Sequence, residues 1–529
     1  MPESRTPAAD AGSGGDADAR SRFDVHRGVG RSTATNVIVQ FATLATGFVV
    51  TPFILRRLGQ EAFGLWALMG SLITYGVLFD LGISGAVVKY VAHHRARGEA
   101  GRARAVVATA LRLYLGLGLL AACASAALAP FVPDIFNVDD AHRRVAVAAT
   151  VVTGIGVAVA IPLSTPRAVL IGLQRFDLAN GLTLAATVLA NAGIVVVLVA
   201  GGGLLPLLAV GIVVTVVLQP VSVAVVRRVA PDIGYGWSGA DRQLVRAILS
   251  FSSALSINQI ASRLASRTDT IVIGIAQSAA SVTPYALALR VGQLVLLLTS
   301  QFTKVLMPLA ADINARDDRA RLRNVLVAST RIALAIGAGV GVTAIVLGGA
   351  ILAAWVGDRY SRYSTIVTII AAGGIVSAAS LAAANILLAI GRQRVLATLS
   401  LANGLANLLL SIVLVLSYGI VGAAIGTLAA ESAFALVLLP YTARVVGVTI
   451  PELMRDAVAR VLVPAAALFA VLELVTRVVD ASSPVPLVAV AGAGLVFYAL
   501  VYVVAAASET ERAFYVRITS RTLRRLKVR

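Results

Sequence analysis

The chain has 529 residues, 58% of them hydrophobic and 13% charged, with a mean hydropathy of +0.88. A soluble fold of this size cannot hide so much apolar surface, so the composition excludes a water-soluble enzyme or binding domain and requires lipid as the solvent. The net charge of +19 does not mark a nucleic-acid binder, because the arginines fall between apolar runs rather than on one basic face.

The first 33 residues are polar and rich in Gly, Ala, Asp and Arg, without the apolar centre of a signal peptide. They read as a disordered cytoplasmic tail, which leaves the first span to act as the targeting signal. From there, runs of the roughly 20 residues that a helix needs to cross hydrocarbon recur along the chain. The pattern predicts fourteen, near 34–56, 62–85, 105–129, 145–171, 178–200, 204–226, 248–276, 284–309, 325–353, 364–390, 395–416, 418–440, 459–478 and 485–507. The expected organisation is an N-lobe of spans 1–6 (34–230), a cytoplasmic linker (231–247), a C-lobe of spans 7–12 (248–445), spans 13 and 14 (446–507), and a basic cytoplasmic tail (508–529).

Lys and Arg concentrate in the two tails and in alternate loops, which places both termini in the cytoplasm and the chain in a plasma (cell inner) membrane. The longest outer loop, near Pro130 to Arg144, is too short for an external catalytic domain. Cys123 is the only cysteine, so disulfides and cysteine metal clusters are excluded; it reads as a small core residue.

An internal echo divides the spans. Ile171-Gly172-Leu173-Gln174-Arg175 recurs as Ile390-Gly391-Arg392-Gln393-Arg394, and Leu178-Ala179-Asn180-Gly181-Leu182 recurs as Leu401-Ala402-Asn403-Gly404-Leu405. Arg102, Arg104 and Arg112, leading into span 3, match Arg321, Arg323 and Arg331, leading into span 9. Two six-span lobes of the same orientation follow, related by an axis along the membrane normal, with a substrate path between them.

A charge at the bilayer centre costs about 2.5–3.5 kcal/mol even on the lenient insertion scale, so each one retained needs water, a partner or a substrate. Arg112, Arg167 and Arg331 lie near cytoplasmic ends, where long stems snorkel to the headgroups. Span 7 differs: Ser252, Ser256, Gln259, Arg263 and Arg267 form one helical face. Arg290, Gln293, Ser300 and Lys304 make a similar stripe on span 8, and Asn36, Gln40 and Thr43 a neutral one on span 1. These faces are expected to line a wet, net-positive cavity, with local pairing of Arg267 to Asp269 as the competing reading. Asp269, Glu431 and Glu473 are candidate proton or sodium sites, with structural pairing as the alternative for each.

Other features carry no chemistry. Gly337 to Gly341 and Gly422 to Gly426 have the spacing that lets helices approach closely. No GxxxxGK phosphate loop is present, and adjacent His93 and His94 fall on different helical faces, so neither a cofactor nor a metal site is expected. No paired carboxylates or nucleophile elbow stand at a membrane surface.

Thr51-Pro52-Phe53-Ile54-Leu55, Leu58-Gly59, Phe63-Gly64-Leu65-Trp66 and Asp80-Leu81-Gly82, together with Gly172-Leu173-Gln174-Arg175-Phe176, resemble the polysaccharide flippases of the multidrug/oligosaccharidyl-lipid/polysaccharide (MOP) exporter superfamily. The resemblance covers about residues 34–507. It implies an all-α, V-shaped, two-lobed carrier that moves undecaprenyl-diphosphate-linked oligosaccharides to the periplasmic leaflet by alternating access. A cationic cavity suits that diphosphate, since Arg offers forked donors to phosphate oxygens.

On this reading Arg263, Arg267 and Arg290, with Gln259, Gln293, Asn36 and Gln40, hold the substrate, while Asp80 and Lys304 pair as a cytoplasmic gate when the carrier faces outward. The basic run Arg521 to Arg529 docks on anionic lipid, or on a glycosyltransferase or polymerase partner. Lipid II flippases and cation-exporting drug antiporters of the same superfamily are alternatives, and a membrane-embedded polysaccharide ligase or polymerase is the alternative from another class.

Overall fold

The computed structural model describes the backbone of residues 14–76, 80–233, 242–304, 306–479, 483–508 and 511–512; within these, the side chains of 14–39, 41–45, 242 and 253–267 are outside the description. The described residues form helices and the turns between them, without a β-strand. The N-lobe comprises α1 (Gly14–Gly76), α2 (Ile83–Ala96), α3 (Ala100–Leu128), α4 (Val132–Ile135), α5 (Arg143–Leu163), α6 (Thr165–Gly172), α7 (Phe176–Val199) and α8 (Leu204–Val229). The C-lobe comprises α9 (Arg242–Ala276), α10 (Ala279–Thr303), α11 (Leu306–Ala315), α12 (Arg319–Val356), α13 (Ser364–Ala389) and α14 (Gln393–Val446). Then come α15 (Ile450–Leu453), α16 (Arg460–Thr476) and α17 (Pro484–Ala505).

Ten helical stretches among the described residues are long and apolar enough to cross a membrane. One of them, α14, is broken at Gly419 (φ 61°) and crosses twice. With α1, broken at Gly59 (φ 81°), and α9, fourteen crossings result. Positive φ is open to glycine at no steric cost, which is why a glycine marks both breaks.

Three expected elements differ. Span 2 is not one helix over 62–85: α2 opens at Ile83 only after Leu81 and Gly82, both in the left-handed region. Asp80 stands two residues before the N-cap, Gly82, and its carboxylate accepts the Ser84 amide in the first turn of α2 at 3.1 Å. Span 4 divides at Ser164, between Pro162 and Pro166. Helix α1 is already helical at Gly14, the first described residue, so it takes in residues that composition alone reads as a tail.

The repeat is visible in the backbone. Gly98 and Asp317, 219 positions apart, both have positive φ, and the same turn is closed in each lobe by Glu99 N to His94 O (2.9 Å) and Asp318 N to Ile313 O (3.3 Å). Gly201 and Gly419 form a second left-handed pair. In the turn after span 4 the left-handed residue is Gln174, and its counterpart after span 10 is Gly391. The equivalence there is shifted by two residues from the Ile-Gly-x-Gln-Arg echo.

The buried side chains show how the lobes meet. One large apolar cluster mixes both lobes, joining Ile54, Phe63, Leu68 and Phe136 to Ile273, Tyr285, Leu287 and Val291. All of these lie toward the end of the bundle that carries Gly59 and the 136–142 loop, called here the distal end. Toward the opposite, basic end the cores separate. Val87, Val107, Tyr114 and Leu170 form an N-lobe cluster, and Leu326, Ile386, Leu387 and Leu438 a C-lobe cluster. Leu244, Ile248 and Phe251, at the start of α9, pack with the N-lobe cluster, so α9 reaches across from one lobe to the other. A shared core at one end and separate cores at the other describe a V closed distally.

Two sequence expectations are corrected. Cys123 is exposed on α3 rather than in the core; a lipid-facing position is as apolar as a packed one, so composition does not separate them. Arg331 does not snorkel: it is buried, with its Nη2 2.6 Å from Glu511 Oε1 and its Nη1 donating to the Asp456 carbonyl at 2.9 Å. This pair joins span 9 to the segments flanking α16 and α17. Gly337, Gly341, Gly422 and Gly426 all stand where a neighbouring helix approaches within 3 Å of an added methyl group, as their spacing predicts. His94 pairs with Glu99 at 2.7 Å, and no metal-binding group of three or more His, Cys, Asp or Glu occurs among the described residues.

Candidate functional site

A cavity of about 610 Å³ lies between the lobes, immediately inside the distal closure. Span 1 contributes Gln40, Gly47 and Phe48, span 2 contributes Phe63, Trp66 and Ser71, and the C-lobe contributes Thr270, Arg290 and Gln293. Polar groups thus converge on a wall that is otherwise aromatic and aliphatic, the composition expected for an amphipathic ligand.

Arg290 is the cationic side chain on this wall. From α10 it reaches across the lobe boundary to α1, donating to the Gly47 carbonyl at 3.1 Å and to the Thr51 hydroxyl, and its guanidinium stands 5.4 Å from the Trp66 ring centre. Trp355 fixes the same stretch of α1: its Nε1 donates to the Phe48 carbonyl at 2.7 Å, and its ring stacks on Phe48 with centroids 4.1 Å apart.

Of the expected substrate residues, Gln40, Arg290 and Gln293 therefore meet in one cavity. The side chains of Asn36, Gln259, Arg263 and Arg267 lie outside the described residues. The expected gate residues have other partners in this structure. Asp80 is buried and accepts from the Ser84 hydroxyl at 2.7 Å and from the Tyr114 hydroxyl, while Lys304 is exposed and donates to Gln301 Oε1 at 3.2 Å. No ion pair joins them here.

The three candidate ion carboxylates fare differently. Asp269 accepts from three hydroxyls, each at 2.6 Å: Tyr285 on α10, and Ser411 and Thr427 on the two halves of α14. Thr427 in turn accepts from Asn407 Nδ2 at 2.9 Å. One turn further along, Glu431 accepts from Asn403 Nδ2 at 3.0 Å and from Ser377 at 2.7 Å. Asn403, Asn407 and Ser411 follow one another at steps of four, facing Thr427 and Glu431 at the same step, so the two rows pair as a polar ladder inside the C-lobe. The carboxylate of Glu473 has no hydrogen-bond or ion-pair partner among the described residues and stands apart from the ladder.

Within the ladder, Asn403 Oδ1 and Asn407 Oδ1 are buried without a hydrogen-bond partner. Both orphans are acceptors, and a buried acceptor is satisfied by a donor or a cation. An oxygen-rich row of this kind, running from Asp269 to Glu431, has the chemistry to hold a proton or a monovalent cation. Ser411, Thr427, Asn403 and Asn407 were missed by sequence reasoning centred on charges; the Asn-x-x-x-Asn-x-x-x-Ser spacing on span 11 is the signal that marks them.

The distal closure is a set of bonds across the lobe boundary. Asn137 Nδ2 donates to the Ile275 carbonyl at 3.0 Å, and the Ala279 amide to the Phe136 carbonyl at 3.1 Å. The Thr283 hydroxyl donates to the Gln60 carbonyl at 2.6 Å, and Gln60 Nε2 to the Ala280 carbonyl at 3.3 Å. Gly64 lies so close that an added methyl group would stand 1.9 Å from the Ala279 carbonyl oxygen.

Comparison with known proteins bears on this geometry. Residues 54–365 match the family described as "Polysaccharide biosynthesis protein". A 92-residue stretch is 33% identical to "Uncharacterized membrane protein EpsK" of Bacillus subtilis (strain 168), a match spanning 17% of this chain and only 18% of that protein. Among solved structures, the fold is similar to a lipid II flippase, MurJ, in an inward closed conformation, with a TM-score of 0.66 and 15% identity over 91% of this chain and 99% of that one. It is similar also to a multidrug resistance MATE family transporter of the MOP superfamily in an inward-facing conformation, with a TM-score of 0.65 and 15% identity over 78% of this chain and 98% of that one. With more than half of its length matched, the chain belongs to the polysaccharide biosynthesis protein family, and its two lobes have the fold of the MOP superfamily of transporters.

Proposed function

We propose that the chain flips an undecaprenyl-diphosphate-linked oligosaccharide from the cytoplasmic to the periplasmic leaflet by alternating access, with the basic end and both termini in the cytoplasm. The observation that carries this reading is Arg290 set among Trp66, Gln40 and Gln293 between the lobes. An aromatic wall suits the sugar and isoprenoid parts of an amphipathic lipid, and a guanidinium suits the diphosphate. A drug cation would want a carboxylate on this wall, and Asp269 is instead enclosed by hydroxyls within the C-lobe. The similarity to a lipid II flippase also extends over more of this chain than the similarity to a multidrug transporter does, 91% against 78%.

The mechanism follows from the bonds that Arg290 makes. Its contacts with Gly47 and Thr51 tie α10 to α1. A diphosphate entering from the open basic end offers stronger, charge-assisted bonds and draws the guanidinium away from α1. Cargo binding thereby removes one of the ties that hold the lobes in the distally closed state. Moving a dianionic headgroup outward gains about 2.3 kcal/mol per charge per 100 mV from an inside-negative potential. A proton or monovalent cation bound at Asp269 supplies the second input, since its site is shared among spans 7, 8, 11 and 12.

Replacement of Arg290 by Ala is expected to stop surface polysaccharide and to leave lipid-linked oligosaccharide in the cytoplasmic leaflet, with Arg290→Lys retaining part of the activity. Unchanged polysaccharide at normal protein levels in Arg290→Ala cells would falsify the cargo assignment. Accumulation of lipid II instead would move it to the cell-wall precursor.

A further inference from the structure

Glu61 lies in the distal closure, next to Gln60, whose backbone and side chain both bond the C-lobe. Its carboxyl is held between two loops. The Asp139 amide approaches it from the N-lobe's own 136–142 loop, and the Ala280 amide from the start of α10 in the C-lobe. Glu61 Oε1 is buried with no hydrogen-bond partner. The charged groups acting on it are the Asp139 carboxylate and His142, and these two are bonded to each other, His142 Nδ1 to Asp139 Oδ1, at 2.6 Å. The C-lobe brings only the Ala280 amide to it, and no cation from either lobe pairs with it among the described residues.

A half-buried carboxylate beside another carboxylate, spanning two bodies that must separate, is out of place as an anion. The same group protonated is at home there, because a neutral carboxyl neither repels Asp139 nor needs a counter-charge. We propose that Glu61 is a proton-binding site built into the seal, and that its protonation from the distal compartment holds the lobes together at that end.

Burial, reinforced by the Asp139 carboxylate, outweighs the opposing pull of the Asp139 amide, His142 and the Ala280 amide and raises the Glu61 pKa above the ordinary glutamate value in the sealed form. A group with a raised pKa in one state binds its proton more tightly in that state. The proton's contribution to the seal is therefore complete below the ordinary value and is lost as the pH rises through the raised one. Acid outside the membrane favours the distally closed form; alkaline conditions release it. This site is separate from the Asp269 cluster, which lies within the C-lobe and away from the seal.

The test uses whole cells carrying Cys123→Ser and a single reporter, Ile73→Cys, on the cavity wall. A membrane-impermeant maleimide applied from outside reaches this thiol only when the distal end opens. The labelling rate is measured from pH 5 to pH 8 and divided by that of the same chain with Glu61→Gln, which cancels the reagent's own pH dependence. The ratio should stay near one in acid and rise several-fold toward alkaline pH, and Asp139→Asn should move the midpoint to lower pH. A flat ratio, or a midpoint that does not fall in Asp139→Asn, overturns the proposal. If Glu61→Gln fails to reach the membrane, the labelling rate of Asp139→Asn divided by the parent's should peak between the two midpoints and return toward one on either side; a flat ratio overturns the proposal. The inference rests on two lobes alternating but not on the cargo. Intact labelling with unchanged polysaccharide in Arg290→Ala cells removes the cargo alone, and flat labelling in an active carrier removes this site alone.

Discussion

Tyr75 on span 2 and Thr268 on span 7 share a hydrogen bond of 2.7 Å across the lobe boundary. Thr268 is followed by Asp269, which holds the hydroxyl cluster, and by Thr270, which lines the central cavity. Three consecutive residues thus face the N-lobe, the ion candidate and the cargo space. A shift of α9 that accompanies ion binding is felt at the other two positions.

Tyr75→Phe removes this link and keeps the ring. Losing one such bond is worth about 1 kcal/mol, or roughly five-fold in a rate or equilibrium. Flipping in reconstituted vesicles should fall by about that factor, and its dependence on the coupling-ion gradient should weaken in parallel. A fall in rate with the ion dependence intact would place Tyr75 in packing only.

Asp269→Asn keeps the shape of the hydroxyl cluster and removes its charge. Transport driven by a proton or sodium gradient should be lost, while cargo binding at Arg290, measured as protection of Ile73→Cys from labelling, should persist. Persistent gradient-driven flipping in this variant would reassign the coupling ion to Glu431 or Glu473.

The buried Arg331 to Glu511 pair, 2.6 Å apart, ties the segment after the last span to span 9, beside the apolar cluster of Leu334, Leu468, Leu472 and Tyr498. Removing one partner of a buried pair leaves an uncompensated charge and costs roughly 3–5 kcal/mol. Arg331→Ala should therefore lower the melting temperature in detergent by several degrees and expose the 508–512 region to protease. The exchange Arg331→Glu with Glu511→Arg should recover part of the loss.

The helices and their grouping were legible because the bilayer imposes a length and an apolar composition on every span, and Arg290, Gln293 and Gln40 were legible because polar residues on one face of an apolar helix have few other uses. Partners were not. The Arg331 partner lies 180 positions along the chain, so a place near a cytoplasmic span end pointed to snorkelling. Asp80 looked like an intramembrane charge because the stretch around it is apolar, yet the chain breaks there and the carboxylate accepts from Ser84 in the first turn of α2. The hydroxyl and amide ladder around Asp269 escaped notice for another reason: Ser, Thr and Asn inside spans usually bond their own helix, as Thr442 does to Leu438, and only the packing of spans 7, 11 and 12 distinguishes those that do not.

Gly426 offers a test of that packing that touches no ionisable group. An added methyl group would stand 3.0 Å from the Ser411 amide and 3.1 Å from the Ser411 hydroxyl oxygen, which itself donates to Asp269. Gly422, one turn earlier, is tighter, with the Leu414 carbonyl oxygen 2.0 Å from the added methyl position. Gly426→Ala should push the two halves of α14 apart by a few tenths of an ångström, turn the Ser411 hydroxyl from Asp269, and weaken ion binding with little loss of folded protein. Gly422→Ala has no such room, and overpacking there costs about 1–3 kcal/mol, so it should lower stability as well. Ion titration of transport and thermal melting of both variants separate the two effects. Equal loss of stability in both, with ion affinity unchanged, would show that these glycines serve helix approach alone and that Ser411 does not belong to the ion site.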